Sequence, residues 1–183
     1  MRYNNRAIAT AAVSIAVLGA GTGIGACSSS SSGPVTGTET FAGTEALTPA
    51  QIVSSTFEPT IALTASGLFS DTGSIHLTGG NAAGPTTIQL KSGNINIHHA
   101  ATSPNLQPRL VSGCTYAVSE NVAYTVTGGA SSYANVTGGH GTATVSETFT
   151  MPKSGSGCAN PDNAAPVSGT AGFKAVGPIT RSS

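Results

Sequence analysis

Asn121-Val122-Ala123-Tyr124-Thr125-Val126 is the stretch that decides the fold class of this chain. Val122, Tyr124 and Val126 alternate with small or polar residues, and a strand sends successive side chains to opposite faces. The stretch therefore reads as a strand with one face buried. The same period returns in short runs on both sides: Ile61, Leu63 and Ala65; Ile75 and Leu77; Ile88 and Leu90; Ile95 and Ile97; and Ala143 and Val145 within Thr142 to Phe149. Val167 to Val176 reads as a last strand. Turn-forming residues separate the runs at Gly79-Gly80-Asn81, Gly84-Pro85 and Ser92-Gly93, the last with the spacing of a tight hairpin. Residues 100–110, with Pro104 and Pro108, read as a surface loop. Thr48-Pro49 before Ala50-Gln51-Ile52-Val53 supplies a capping residue and a first-turn proline, enough for one helical turn. Short alternating runs at regular spacing predict an all-β domain, an antiparallel β-barrel of about eight strands, with a β-sandwich as the alternative.

Composition agrees. Charged residues are 8% of the 183, about a third of the usual share. Solubility then rests on Thr, Ser, Asn and Gly, which suit strands and turns, and few strong helix formers remain. The low charge argues against nucleic-acid binding, which needs many Lys and Arg to neutralise phosphates.

The first residues read as an export signal. Arg2 and Arg6 precede an apolar run from Ala7 to Leu18, and small residues follow up to Cys27. A basic start, a short apolar core and small residues at the exit describe a cleavable signal, too short for a stable membrane span. Ile24-Gly25-Ala26-Cys27 resembles the bacterial lipobox, with a less usual Gly in its second position. That resemblance implies cleavage before Cys27, a diacylglyceryl group on its sulfur and an extracytoplasmic protein held to the cell membrane. The competing reading is an ordinary secretory signal with a cysteine nearby. The expected organisation is a signal over 1–26, a lipidated Cys27 with a Ser-rich tether over 27–36, and one β domain over 37–183. Beyond Cys27 the chain carries five basic and seven acidic residues, a balance too mild to name a partner. Gly19, Gly21, Gly23 and Gly25 mimic a nucleotide-binding loop, but they lie in the signal and follow no strand.

Cys114 and Cys158 are the other cysteines. Outside the cytoplasm two cysteines in one domain most often form a disulfide, and neither has a second ligand at metal-binding spacing. Two free buried thiols are the alternative.

Thr127 to Thr144 reads TGGASSYANVTGGHGTAT. It resembles the glycine-rich hairpin of the allene oxide cyclase and dirigent-like β-barrels, whose pattern is approximately G-G-x-G-x-Y/F-A-G-A-T-G-x-G-T. Gly128, Gly129, Tyr133, Ala134, Thr137, Gly138, Gly141 and Thr142 fall on that pattern, while Ser131 and Asn135 stand where glycines are usual. The resemblance implies a calycin-like barrel and, for those members that are enzymes, chemistry steered by pocket shape. The bland reading is a glycine-rich hairpin in any β-sandwich. Tyr133, between paired glycines, can fold its ring over a glycine-poor neighbouring strand or plug one end of a barrel.

Chemistry is sparse. No phosphate loop, nucleophile elbow, His-Glu-x-x-His or paired Cys-x-x-Cys occurs, and no catalytic residue, metal ligand or cofactor is assigned. His76, His98 and Glu147 could converge in a lumen, and Tyr124 and Tyr133 could line a pocket with them. Against this, histidines at strand ends are commonly exposed, and tyrosines commonly pack a core. Asp71 before Thr72-Gly73 reads as a turn residue. Three readings of function stand: a membrane-anchored protein that binds a small apolar ligand or meets an envelope surface; an isomerase resembling the allene oxide cyclase and dirigent proteins; and a structural envelope protein. Fold analogy does not choose among them.

Overall fold

A computed structural model describes residues 33–54, 56–78, 81–103 and 106–182. The signal, Cys27, the tether up to Ser32, the Gly79-Gly80 turn and Pro104 lie outside the described residues. The elements in chain order are β1 (Val35–Leu47), α1 (Pro49–Val53), β2 (Thr60–Ser66), β3 (Ser70–His76), β4 (Gly84–Leu90), β5 (Gly93–His99), β6 (Arg109–Ser112), β7 (Thr115–Ser131), β8 (Val136–Thr137), β9 (His140–Thr150), β10 (Lys153–Ser154), β11 (Gly157–Cys158) and β12 (Ser168–Arg181).

Eight strands close on themselves in the order β1-β2-β3-β4-β5-β7-β9-β12, every neighbour antiparallel, and β12 returns to β1. The closing pair is the longest: all 13 residues of β1, from Val35 opposite Arg181 to Leu47 opposite Gly169, have partners on β12. The barrel expectation therefore holds and the sandwich is set aside. The β6 strand extends the sheet beside β7, and β8 extends it beside β12. Two residues expected in the tether, Val35 and Thr36, are already strand. The β1 strand as a whole was missed by the reading of alternation, because its period is carried by Glu39, Phe41, Gly43 and Glu45 rather than by aliphatics. The β4–β5 turn is Lys91-Ser92, one residue earlier than expected, with Gly93 in left-handed φ just after it.

Alternation is kept faithfully. Along β2, Ile61, Leu63 and Ala65 are buried and Thr60, Ala62, Thr64 and Ser66 exposed. Ile61, Ile75, Ile88 and Ile95 are cross-strand partners in sequence, a row of four isoleucines across β2 to β5, each at most 1% exposed. Burying side chains of this size contributes about 1.5–3 kcal/mol each. Thr127 makes a bulge in β7: Asn96 pairs with Gly128 but Ile97 pairs with Val126. The extra residue bends this 17-residue strand round the barrel wall.

The two ends differ. Where β1 enters, the barrel is bounded by the β2–β3 turn, the β4–β5 turn and the glycine-rich hairpin between β7 and β9. We call this the entry end. The far end carries α1, the long connections and a disulfide between Cys114 and Cys158, 44 positions apart. The α1 turn forms as expected, with Thr48 and Gln51 in a reciprocal capping box. Its Ile52 is buried against Gly169, where any Cβ would meet the isoleucine at 2.7 Å. Tyr116 and Phe149 stack beside it with ring centroids 5.6 Å apart.

Candidate functional site

The lumen at the entry end is built on a row without side chains. Tyr124 on β7 is the partner of Gly141 on β9, and Glu39 on β1 is the partner of Gly177 on β12. Gly141 and Gly177 lie side by side, one position beyond the paired Thr142 and Val176. A Cβ at either glycine would collide with the phenol: 2.4 Å from its oxygen at Gly141 and 2.8 Å at Gly177. The two glycines are thus the floor over which the Tyr124 ring lies, with its hydroxyl directed toward the strand that carries Glu39.

Glu39 is fully buried, 0% exposed, and Tyr124 is 3% exposed. The Glu39 carboxyl takes an N–H bond from Phe69 to its Oε2 at 3.0 Å. The β2–β3 turn folds over it through Gly67, whose φ of +141° and closeness to the carbonyl of Thr38 leave no place for a side chain. Burial pushes the Glu39 carboxyl above its ordinary value; backbone hydrogen bonds, that of Phe69 foremost, pull the other way and do not offset it. Burial, and then the charge of Glu39, raise the Tyr124 hydroxyl to about 12. Among the described residues neither Glu39 Oε1 nor the Tyr124 hydroxyl has a hydrogen-bond partner. Buried polar atoms are nearly always paired; a third without a partner, Glu120 Oε2, lies toward the far end.

Tyr133 closes this end. It is buried, packs edge-on against Phe69 at 4.8 Å between centroids, and its hydroxyl donates to Asp71 Oδ2 at 2.7 Å. Asp71 also accepts the N–H of Ser92 at 3.0 Å and that of Thr72 at 2.7 Å. One carboxylate thereby ties the hairpin, the β4–β5 turn and β3 together. The Tyr133 bond, followed by the Ser92 and Thr72 amides, holds its acid at about 2 against the burial that opposes it. Asp71 is therefore a latch on strand β3 rather than the simple turn residue expected.

The other residues singled out from sequence do not join this site. Ile75 and Ile97 occupy the inward positions of β3 and β5, so His76 and His98 face outward. His76 is 53% exposed and pairs with Glu58 at 3.2 Å on the outer wall. Glu147 is inward and buried, but it lies between Val118 and Ala171. That is six residues along β9 from Gly141, about 20 Å away. The expected convergence of His76, His98 and Glu147 does not form. Tyr124 and Tyr133 are both buried at the entry end. Their acidic companion is Glu39, which sequence reasoning passed over.

Three further glutamates face inward toward the far end: Glu45, Glu120 and Glu147, of which Glu120 accepts the Ser103 N–H at 2.6 Å. Among the described residues no group of three or more His, Cys, Asp or Glu is arranged to hold a metal ion. On the outer wall, a shallow depression of about 520 Å³ is lined by Ala42, Thr44, Ala62, Thr64, Thr72 and Lys91, among others. No helix among the described residues is long and apolar enough to cross a membrane. Compared with known proteins, the chain matches no family model, no curated protein and no solved structure.

Proposed function

We propose that this chain is an extracytoplasmic lipoprotein, anchored to the cell membrane through Cys27, whose barrel receives one small, largely apolar molecule carrying a single neutral polar group. The observation that carries the binding reading is the pair of unpartnered buried atoms, Glu39 Oε1 and the Tyr124 hydroxyl. Burial weakens the acidity of Glu39, so its protonated form would present an O–H at Oε1 while Oε2 stays engaged by Phe69. The Tyr124 O–H in an apolar lumen suits an acceptor such as a carbonyl or hydroxyl oxygen, and the buried, apolar surroundings disfavour a charged ligand. The anchoring reading rests on the signal-like start and the lipobox-like Ile24 to Cys27.

The test is displacement of N-phenyl-1-naphthylamine from the purified full chain. We expect saturable fluorescence, displacement by 2-dodecanone about tenfold better than by dodecane, and loss of that preference in Glu39→Leu and Tyr124→Phe. Absence of saturable binding, or a preference unchanged in both variants, overturns the binding reading and leaves a structural protein with a filled barrel. Mass spectrometry of the mature chain tests the anchor: a diacylglyceryl mass at Cys27 is expected, and an unmodified Cys27 overturns it.

A second reading has one observation in its favour. Burial in an apolar lumen weakens the acidity of the Glu39 carboxyl, the shift a general acid needs, which suits the isomerase reading raised by the glycine-rich hairpin.

A further inference from the structure

Charge is distributed unevenly along the barrel axis. Lys91 in the β4–β5 turn and Arg181 at the end of β12 are exposed at the entry end. The acids there are Asp71, which keeps its negative charge while bonded to Tyr133, Ser92 and Thr72, and the buried Glu39, so that acids and bases balance at this end. Toward the far end five acids, Glu45, Glu58, Glu120, Glu147 and Asp162, outnumber two bases, Arg109 and Lys153. Lys174 sits midway along β12. The barrel is thus an electrical dipole whose positive pole is the end at which the chain comes in from Cys27.

Eight peptide steps separate Cys27 from Val35. Fully extended, they span no more than about 29 Å. A lipid on Cys27 therefore holds the entry end within that distance of the bilayer. Length alone leaves the barrel free to lie on its side, but the charges do not: anionic headgroups attract Lys91 and Arg181 and repel the acidic far end. We propose that the barrel stands end-on against an anionic lipid surface, with Lys91 and Arg181 as its contacts and the disulfide-bearing end directed away. This rests on the lipid-anchor reading above. Two surface cations favour the contact by only about thirtyfold, too little to recruit a free protein. For a barrel already confined by its tether the contact is intramolecular, so that factor sets orientation.

The chain contains no tryptophan, so a single introduced indole reports unambiguously. Asn135 at the hairpin tip and Ser156 in the β10–β11 turn are exposed at opposite ends. The lipidated full chain carrying Asn135→Trp or Ser156→Trp is placed in phosphatidylcholine vesicles with brominated acyl chains, with and without phosphatidylglycerol. We expect Asn135→Trp to be quenched at least threefold more than Ser156→Trp when phosphatidylglycerol is present. Adding Lys91→Glu and Arg181→Glu should erase that difference while the protein still floats with the vesicles. Equal quenching at the two sites, or stronger quenching at position 156, in a chain that floats overturns the orientation and leaves the anchor standing. A difference that survives the charge reversals overturns the role of Lys91 and Arg181. A chain that neither floats nor carries lipid at Cys27 overturns the anchor, and the orientation with it.

Discussion

The two ends of this barrel are closed by different chemistry. The far end is stapled covalently by Cys114–Cys158 and packed by Ile52, Tyr116 and Phe149. The entry end is closed by hydrogen bonds that converge on two carboxyls, Asp71 and Glu39, over a floor of glycines. A covalent bond answers to the redox state of the compartment and ignores moderate acid, whereas carboxyl latches do the reverse. One small domain therefore carries two independent sensitivities, one at each pole.

Removing the disulfide should have the largest effect. A bridge closing a loop of this length contributes about 4 kcal/mol in the chain-entropy account. The Cys114→Ala, Cys158→Ala double variant should therefore lose most of that in urea denaturation, with the Asp71–Tyr133 latch intact by NMR. A loss far below this would mean that the far end is held by packing alone. Next comes the glycine floor. Gly177→Ala places a methyl 2.8 Å from the Tyr124 hydroxyl and 2.7 Å from the Cα of Gly141. Overpacking of this kind costs about 1–3 kcal/mol. An unchanged melting temperature would show that the Tyr124 ring moves freely off its floor.

The latches should then show opposite responses to pH. Asp71 has a folded value of about 2 against an ordinary 3.8, so the stability it brings is present above about 3.8 and is lost as pH falls through 2. The carboxyl of Glu39 is raised above 4.5, so its contribution is intact below 4.5 and declines as pH rises through the higher folded value. Glu39→Gln should remove the alkaline-side decline and leave the acid-side one. Urea midpoints measured from pH 2 to pH 8 test this, and a slope that persists above pH 5 in the variant would sink it. The smallest effect should be a gain. Ser131 is a non-glycine residue with φ of +56°, at a hairpin position where the resembled family carries glycine. Ser131→Gly should relieve left-handed strain and stabilise the protein by about 0.5–1 kcal/mol, read as a rise in melting temperature.

Much of this was legible in the amino-acid sequence, and what was not has a physical reason. Alternation found most of the strands, because Ile and Val mark the inward face where they occur, and the cysteine pair and the capped turn at Thr48 were equally plain. The β1 strand escaped because its inward face is written in Glu39, Gly43 and Glu45 beside Phe41, residues that hydrophobic periodicity does not count. With Phe41 and Leu47 taken as inward, parity alone would have put Glu39 in the lumen. The same parity, applied to His76 beside Ile75 and His98 beside Ile97, would have sent both histidines outside. The hairpin drew attention to Tyr133, but nothing local to Asp71 announces that a tyrosine 62 positions on will bind it. Such pairings are set by closure of the barrel, a non-local property.

That closure has a consequence for how the protein comes into being. Its first strand is paired along its whole length with its last, so β1 emerges from the ribosome, and through any export channel, well ahead of the partner that will seal it. Until β12 follows, one long edge of the sheet stays unpaired. Contacts this distant in sequence also make for slow folding. The nascent chain must therefore travel as an open ribbon, and loss of the last fourteen-residue strand would leave a sheet with two bare edges, the kind of surface on which chains join one another.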